Sequence, residues 1–224
     1  MLLKNITVKY GRKVALDNIS LTLRNDGKIV GILGDNGSGK TTLVNLILKN
    51  INKFKGQREI EGSFSYMPDR YFLYESMTIK ESIDLFKSVY SDFDEQRMYK
   101  ILQKFSISPQ LKLHDCSKGM HEQVHLALVF SRNTDFYVLD EPLSATDPIK
   151  RRYFMDIIQN YRRKNSTVLM VTHLIRDLGD MLEDVIFIKD GHILSHNSRA
   201  EILEVDKTLE DAYIRRIGQW ADIY

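Results

Sequence analysis

A chain of 224 residues, 43% of them hydrophobic, can bury one sizeable core or two small ones, which excludes a disordered or fibrous protein. Lys and Arg number 32 against 30 Asp and Glu, and the resulting net charge of +2 gives no sequence-wide case for binding nucleic acid. The one cysteine, Cys116, cannot form an internal disulfide, and no stretch approaches the ~20 apolar residues of a membrane span or the apolar run of a secretory signal. A reducing compartment, and membrane contact only through a partner, are therefore expected.

Leu3 to Tyr10 and Leu16 to Leu23 alternate with period two, which predicts an antiparallel pair of strands joined through Gly11, with Ile19, Leu21 and Leu23 on one face. Lys28 to Leu33 is continuously apolar after its lysine, as in a buried strand. It breaks into Gly34-Asp35-Asn36-Gly37-Ser38-Gly39-Lys40-Thr41 and then a helical stretch from Thr41 to Lys49. Strand, glycine-rich turn and helix together satisfy the phosphate-binding pattern, whose loop runs from Gly34 to Thr42. The glycines let backbone N–H groups converge on anionic oxygens, and the helix dipole adds favourable potential there. Lys40 reaches the β and γ groups of a nucleotide, and Thr41 offers a hydroxyl to Mg²⁺.

From Met67 to about Asn133 the periodicity is helical. Thr78 and Glu81 are spaced as a capping box ahead of Ile79, Ile83 and Phe86, and a second helix carries Met98, Ile101, Leu102 and Phe105. Past Asn133 apolar strands return at Phe136 to Leu139, Thr167 to Val171 and Val185 to Ile188, separated by helices from Ile149 and from Leu174. This alternation predicts an α/β fold, a parallel sheet with right-handed crossovers interrupted by a helical insert. Phe136-Tyr137-Val138-Leu139-Asp140-Glu141 is an apolar strand ending in two carboxylates, which places charge at the carboxyl edge of the sheet, where ligands sit. Asp140 is expected to hold magnesium through water. Glu141 then orients or deprotonates the water that attacks the γ-phosphate. The pairs Arg151-Arg152, Arg162-Arg163 and Arg215-Arg216 read as solvated helix faces.

Cys116-Ser117-Lys118-Gly119-Met120 resembles a variant of the LSGGQ signature of the ATP-binding subunits of ABC transporters, and the resemblance covers nearly all of the chain. The serine and second glycine stand; the leucine, first glycine and glutamine do not. The resemblance implies a phosphate-loop NTPase core with a mixed sheet, made of an N-terminal antiparallel β portion and a parallel RecA-like part, with an inserted α-helical subdomain. Residues 1–68 and 134–204 would form the core, 69–133 the insert with the signature, and 205–224 a short helical tail.

It also implies roles. Two chains pack head to tail, so that Ser117 and the N–H groups near Gly119, at the start of a helix from Met120 to Ser131, meet the γ-phosphate on a second subunit. Tyr10 would stack on adenine, Asp147 would lie in the loop that crosses the subunit interface, and His173 would contact the γ-phosphate. The family's glutamine after Pro68 is Asp69 here; a carboxylate can bind magnesium but cannot donate a hydrogen bond to the nucleophilic water. The cluster Tyr71-Phe72-Leu73-Tyr74 stands where the family has a groove for a short helix of the membrane subunit, and simple packing between the two subdomains explains it equally well.

By this resemblance the chain is an ATPase using ATP and Mg²⁺. It would be peripheral at the cytoplasmic face of the cell membrane, paired with a membrane permease and a second ATP-binding subunit, with no nucleic-acid partner. The variant signature and short C-terminus are similar to subunits that serve exporters of peptides, antimicrobials or lipids. A soluble ABC-type ATPase serving a cytosolic assembly, such as iron–sulfur cluster assembly, is the alternative. A nucleic-acid-associated regulator is disfavoured by the single nucleotide domain and the lack of a basic stripe.

Overall fold

Apolar runs and alternating runs sort into different sheets. In the computed structural model, which describes residues 1–142, 148–173, 175 and 179–221, the chain forms two compact units, Met1–Gly62 with Thr167–Tyr224, and Ser63–Ser166. The first unit begins with β1 (Leu2–Tyr10), β2 (Lys13–Thr22), β3 (Ile29–Leu33), α1 (Lys40–Ile47) and β4 (Lys55–Glu59). β1 and β2 pair antiparallel from Tyr10↔Lys13 at the turn to Leu2↔Thr22, and β4 lies on the other edge of β1. Alternation, shifted by one residue at irregularities around Asn5 (φ 52) and Asn18 (φ 47), puts Leu3, Ile6 and Val8 of β1 and Leu16, Ile19 and Leu21 of β2 in the core, together with Leu23. Burial of each such side chain contributes about 2 kcal/mol.

The same unit is completed by β7 (Thr167–Thr172), β8 (Asp184–Lys189), β9 (His192–Ser198), α6 (Arg199–Leu203) and α7 (Leu209–Ala221). Every residue of β3 and β7 is buried, which is why those segments run apolar without alternation. β3 pairs parallel with β7 through Leu33↔Thr172 and with β8 through Leu33↔Phe187, and β9 returns antiparallel to β8. Three parallel strands thus end at one edge, where Gly34 and His173 leave neighbouring strands.

The second unit holds β5 (Phe64–Met67), α2 (Ile79–Val89), α3 (Glu95–Lys104), α4 (Lys118–Phe130), β6 (Phe136–Asp140) and α5 (Pro148–Tyr161). β5 and β6 are parallel, in register from Phe64↔Phe136 to Met67↔Leu139. The capping box forms as its spacing predicts: the Thr78 N–H donates to Glu81 Oε2 at 2.6 Å, and the Glu81 N–H donates to Thr78 Oγ1 at 3.1 Å. α3 buries Met98, Ile101 and Leu102 and starts at Asp94, whose carboxylate accepts the Arg97 N–H at 2.9 Å. Arg132, in the turn after α4, forms a bidentate pair with Asp92 at 2.8 and 2.9 Å and lies 3.7 Å over the Tyr90 ring, tying the end of α4 to the α2–α3 connection.

The structure departs from the sequence reading in several places. The segment read as helical from Met67 opens on the last residue of strand β5, while the first helix starts at Ile79, where the capping box marks it. β4 and β9 are additional strands: Lys55–Glu59 is polar, and its pairing depends on the β1 ladder rather than on its own side chains. Two of the basic pairs, Arg162-Arg163 and Arg215-Arg216, are more than solvated faces. Arg215 and Arg216 both pair with the buried Asp206, and Arg163 pairs with Asp135. The expected helix start at Leu174, and Asp147, lie outside the described residues.

Candidate functional site

Strand β3 ends at Leu33, and the loop to α1 folds back so tightly that two of its glycines have no room for a side chain. A Cβ on Gly34 would lie 2.2 Å from the Ile188 carbonyl oxygen. Gly39 caps α1 at φ 111, and a Cβ there would lie 2.8 Å from the Ala15 carbonyl. The loop closes around the Lys40 ammonium, which donates to the Gly34 carbonyl at 2.7 Å and the Asp35 carbonyl at 2.9 Å. From outside, the β8–β9 turn holds the loop through the Gly191 N–H, which donates to the Ser38 carbonyl at 2.8 Å.

Ser38 Oγ is buried and has no hydrogen-bond partner among the described residues. A buried hydroxyl without a partner costs about 1–3 kcal/mol, so the loop is built for a group that supplies one. Asn36 and Gly37 are exposed beside it, and Thr41 and Thr42 open α1, with Thr41 exposed. In the same unit Tyr10, 54% exposed, stands at the end of β1. His173 is exposed just past Thr172, the partner of Leu33 in the ladder, and so leaves the sheet beside the start of the phosphate loop.

The second unit gathers its own candidates at the carboxyl ends of β5 and β6. Asp140 is 5% exposed, and the Tyr66 hydroxyl donates to its Oδ2 at 3.4 Å. Burial and then the Asp140 charge push the Tyr66 hydroxyl well above the usual phenol range, so it stays a donor. Glu141 follows with φ 47, a left-handed conformation whose cost, on the order of 1–2 kcal/mol for a residue with a Cβ, tends to persist at functional positions. Asp69 leaves β5 one residue past Pro68 and is exposed. It lines, with Tyr71, Lys118, His121, Glu122 and Glu141, a cleft of about 690 Å³. Ser117 caps α4, its Oγ accepting the Met120 N–H at 3.3 Å, and Gly119 lies in the first turn of that helix.

Sequence reasoning missed the imidazoles of α4. His121 and His125, four residues apart on one face, stack on Tyr71 at 4.6 Å and on Phe72 at 4.4 Å between ring centroids. The spacing was visible in the sequence; the aromatic partners some fifty residues upstream were not. His125 is 1% exposed, and burial followed by the neighbouring His121 pushes it down to about 4 from 6.5. The unfolded chain therefore takes up this proton first, and the stability present above pH 6.5 is lost as pH falls toward 4. The loss is on the order of 3 kcal/mol at its limit. Denaturant unfolding at about pH 7.5 and about pH 4.5 should show that His125→Phe, which keeps a ring against Phe72, loses less stability on acidification than the wild type. Equal losses would remove His125 from this role.

A phosphate-cradling loop between a buried parallel strand and a helix, in a fold of antiparallel and parallel sheets with helices, defines an ATP-binding protein of the phosphate-loop class. The particular family follows from comparison: the pattern of the ABC transporter family matches residues 16–144, and the chain belongs to that family. It is 28% identical to the ABC-type transporter ATP-binding protein EcsA of Bacillus subtilis strain 168, with 94% of each chain covered. It is 25% identical to the lipopolysaccharide export system ATP-binding protein LptB of Escherichia coli strain K12, covering 96% of this chain and 94% of that one. A solved structure described as the ATP binding subunit of an ABC transporter superposes with a TM-score of 0.85 at 20% identity, over 96% of this chain and 98% of that one. The chain is thus an ATP-binding subunit of an ABC transporter, an ATPase of a family whose ATP-binding subunits dimerise and work with a membrane permease. Among the described residues, no helix is long and apolar enough to cross a membrane.

Proposed function

We propose that this subunit pairs head to tail with a second ATP-binding subunit and drives a separate permease from the cytoplasmic face of the membrane, in the service of export of a peptide, antimicrobial or lipid. The observation that carries the nucleotide part is the loop closed on Lys40, with Ser38 Oγ buried and unpartnered beside it. In this reading residues 1–68 and 134–204 are the working core, 69–133 the insert that meets the permease, and 205–224 the tail. LptB, a relative along nearly its whole length, belongs to a lipopolysaccharide export system, which supports export of a lipid.

The site residues take the following parts. The loop from Gly34 to Thr42, through Asn36, Gly37, Ser38, Gly39 and Thr41, wraps the phosphates, Lys40 holds the β and γ groups, and Tyr10 stacks on the base. His173 contacts the γ-phosphate. Ser117 and Gly119, at the positive end of α4, meet the γ-phosphate of the neighbouring subunit. Asp147 takes the interface loop.

Thr41, Asp140 and Asp69 supply a hydroxyl and carboxylates, donors that suit Mg²⁺. When bound, the ion neutralises charge on the β and γ oxygens. Tyr66 donates to Asp140, and Glu141 accepts a proton from the attacking water.

Because each site is shared, ATPase activity per chain of the isolated subunit should rise with protein concentration. Activity strictly proportional to chain down to high dilution would contradict the shared site.

A further inference from the structure

The first residue after Gly34 in the phosphate loop is held from outside by the C-terminal helix. The Asp35 N–H donates to the Tyr213 hydroxyl of α7 at 3.0 Å, its carbonyl accepts from Lys40 Nζ at 2.9 Å, and its carboxylate pairs with Lys189 at 3.0 Å. Backbone amide, carbonyl and side chain of one loop residue are thus each tied to a different element. The carbonyl tie matters most for nucleotide binding, because it holds the ammonium that a γ-phosphate must attract.

The helix that presents Tyr213 is itself firmly seated. Its ring is 5% exposed and stacks on Phe187 at 5.4 Å, and the Arg216 guanidinium lies 5.2 Å from the centroid of the same phenylalanine. Arg215 and Arg216 both pair with Asp206, and Thr208 accepts the Asp211 N–H at 3.0 Å to start the helix. Phe187 is the ladder partner of Leu33, the last residue before the loop. The tail helix is therefore registered on the strand position next to the one that launches the loop.

We infer that Tyr213 is a positioning residue for nucleotide binding: its hydroxyl fixes the Asp35 peptide, and through it the carbonyl that presents the Lys40 ammonium, so that α7 sets the affinity of the phosphate loop. Burial keeps the hydroxyl protonated, pushing it up to about 12. Without that acceptor the Asp35 N–H loses a partner that water replaces only in a loosened loop. Binding must then reorder the loop, and the cost falls on affinity rather than on the chemical step.

The test is Tyr213→Phe, which keeps the ring on Phe187 and removes only the oxygen. In the nucleotide-free protein the Asp35 amide should exchange with solvent faster, by about fivefold or more, as followed by amide-resolved hydrogen exchange. Titration with a fluorescent ATP analogue should show a dissociation constant raised about fivefold, KM should rise in parallel, and kcat at saturating ATP should stay within about twofold. A second variant, Arg216→Met, loosens the seat of α7 while leaving the hydroxyl, and should shift the same two quantities in the same direction by less. Unchanged Asp35 exchange and ATP affinity in Tyr213→Phe would overturn the inference. So would a fall in kcat with KM unchanged, or a lowered unfolding temperature with nucleotide affinity intact.

Discussion

Glu141→Gln should lower steady-state turnover by a factor of about 10²–10⁴ while leaving ATP binding intact, because the amide matches the carboxylate in shape and cannot take the proton of the attacking water. The substitution changes neither Asp140 nor its partner Tyr66 and asks the same left-handed backbone of residue 141. With hydrolysis stalled, the γ-phosphate remains in place and, in the proposed head-to-tail pair, the shared site stays closed. ATP should therefore convert the 26.1 kDa chain into a stable species of twice that mass in size-exclusion chromatography with light scattering. Wild-type turnover in the variant would take Glu141 out of the base role.

The second large effect belongs to Lys40. Lys40 is 7% exposed and its ammonium bridges the Gly34 and Asp35 carbonyls, so Lys40→Ala removes both the cation proposed to meet the phosphates and the tie that shapes the loop. Loss of charge-assisted contacts in a buried setting should weaken ATP binding by about 10²-fold or more and reduce hydrolysis to background, read by calorimetric titration and phosphate release. ATP affinity within about threefold of wild type would show that the loop does not hold the nucleotide through this residue.

The phosphate loop was legible because its chemistry is local: a buried strand, glycines at fixed offsets, a lysine and a helix start lie within one short stretch of chain. The same is true of the Thr78–Glu81 capping box and of Ser117 as the cap of α4, where three residues of separation define the interaction. What stayed hidden are contacts that only tertiary structure makes. Tyr213 and Asp35 are 178 positions apart, and Tyr66 and Asp140 are 74 apart. Edge strand β4, with the sequence Lys-Gly-Gln-Arg-Glu, shows no apolar alternation because β1 supplies its order. Strand β5 is four residues long, too short for period two to stand out from the helical pattern that follows.

Tyr66 and the two imidazoles of α4 show how this chain supports its candidate site with residues outside the recognisable motifs. The Tyr66 hydroxyl donates to Asp140 at 3.4 Å. His121 and His125 tie the helix that begins at Ser117 to the aromatic segment at Tyr71 and Phe72, which opens the cleft with Asp69. A displacement of that segment by a partner would therefore bear directly on the helix whose N-terminus is proposed to meet the neighbour's nucleotide.

The central proposition, one nucleotide held between Lys40 of one subunit and the Ser117 helix end of another, can be tested with the chain's own chemistry. Cys116, the only cysteine in the sequence, sits next to Ser117. Asn36→Cys places a second thiol on the phosphate loop, and in a Glu141→Gln background a short bismaleimide should join the two sites between chains. The proposition predicts a covalent dimer that forms with ATP and not with ADP, its cross-linked peptides containing residue 36 of one chain and Cys116 of the other. Chains that remain monomeric with ATP, or that cross-link equally well without nucleotide, would contradict it.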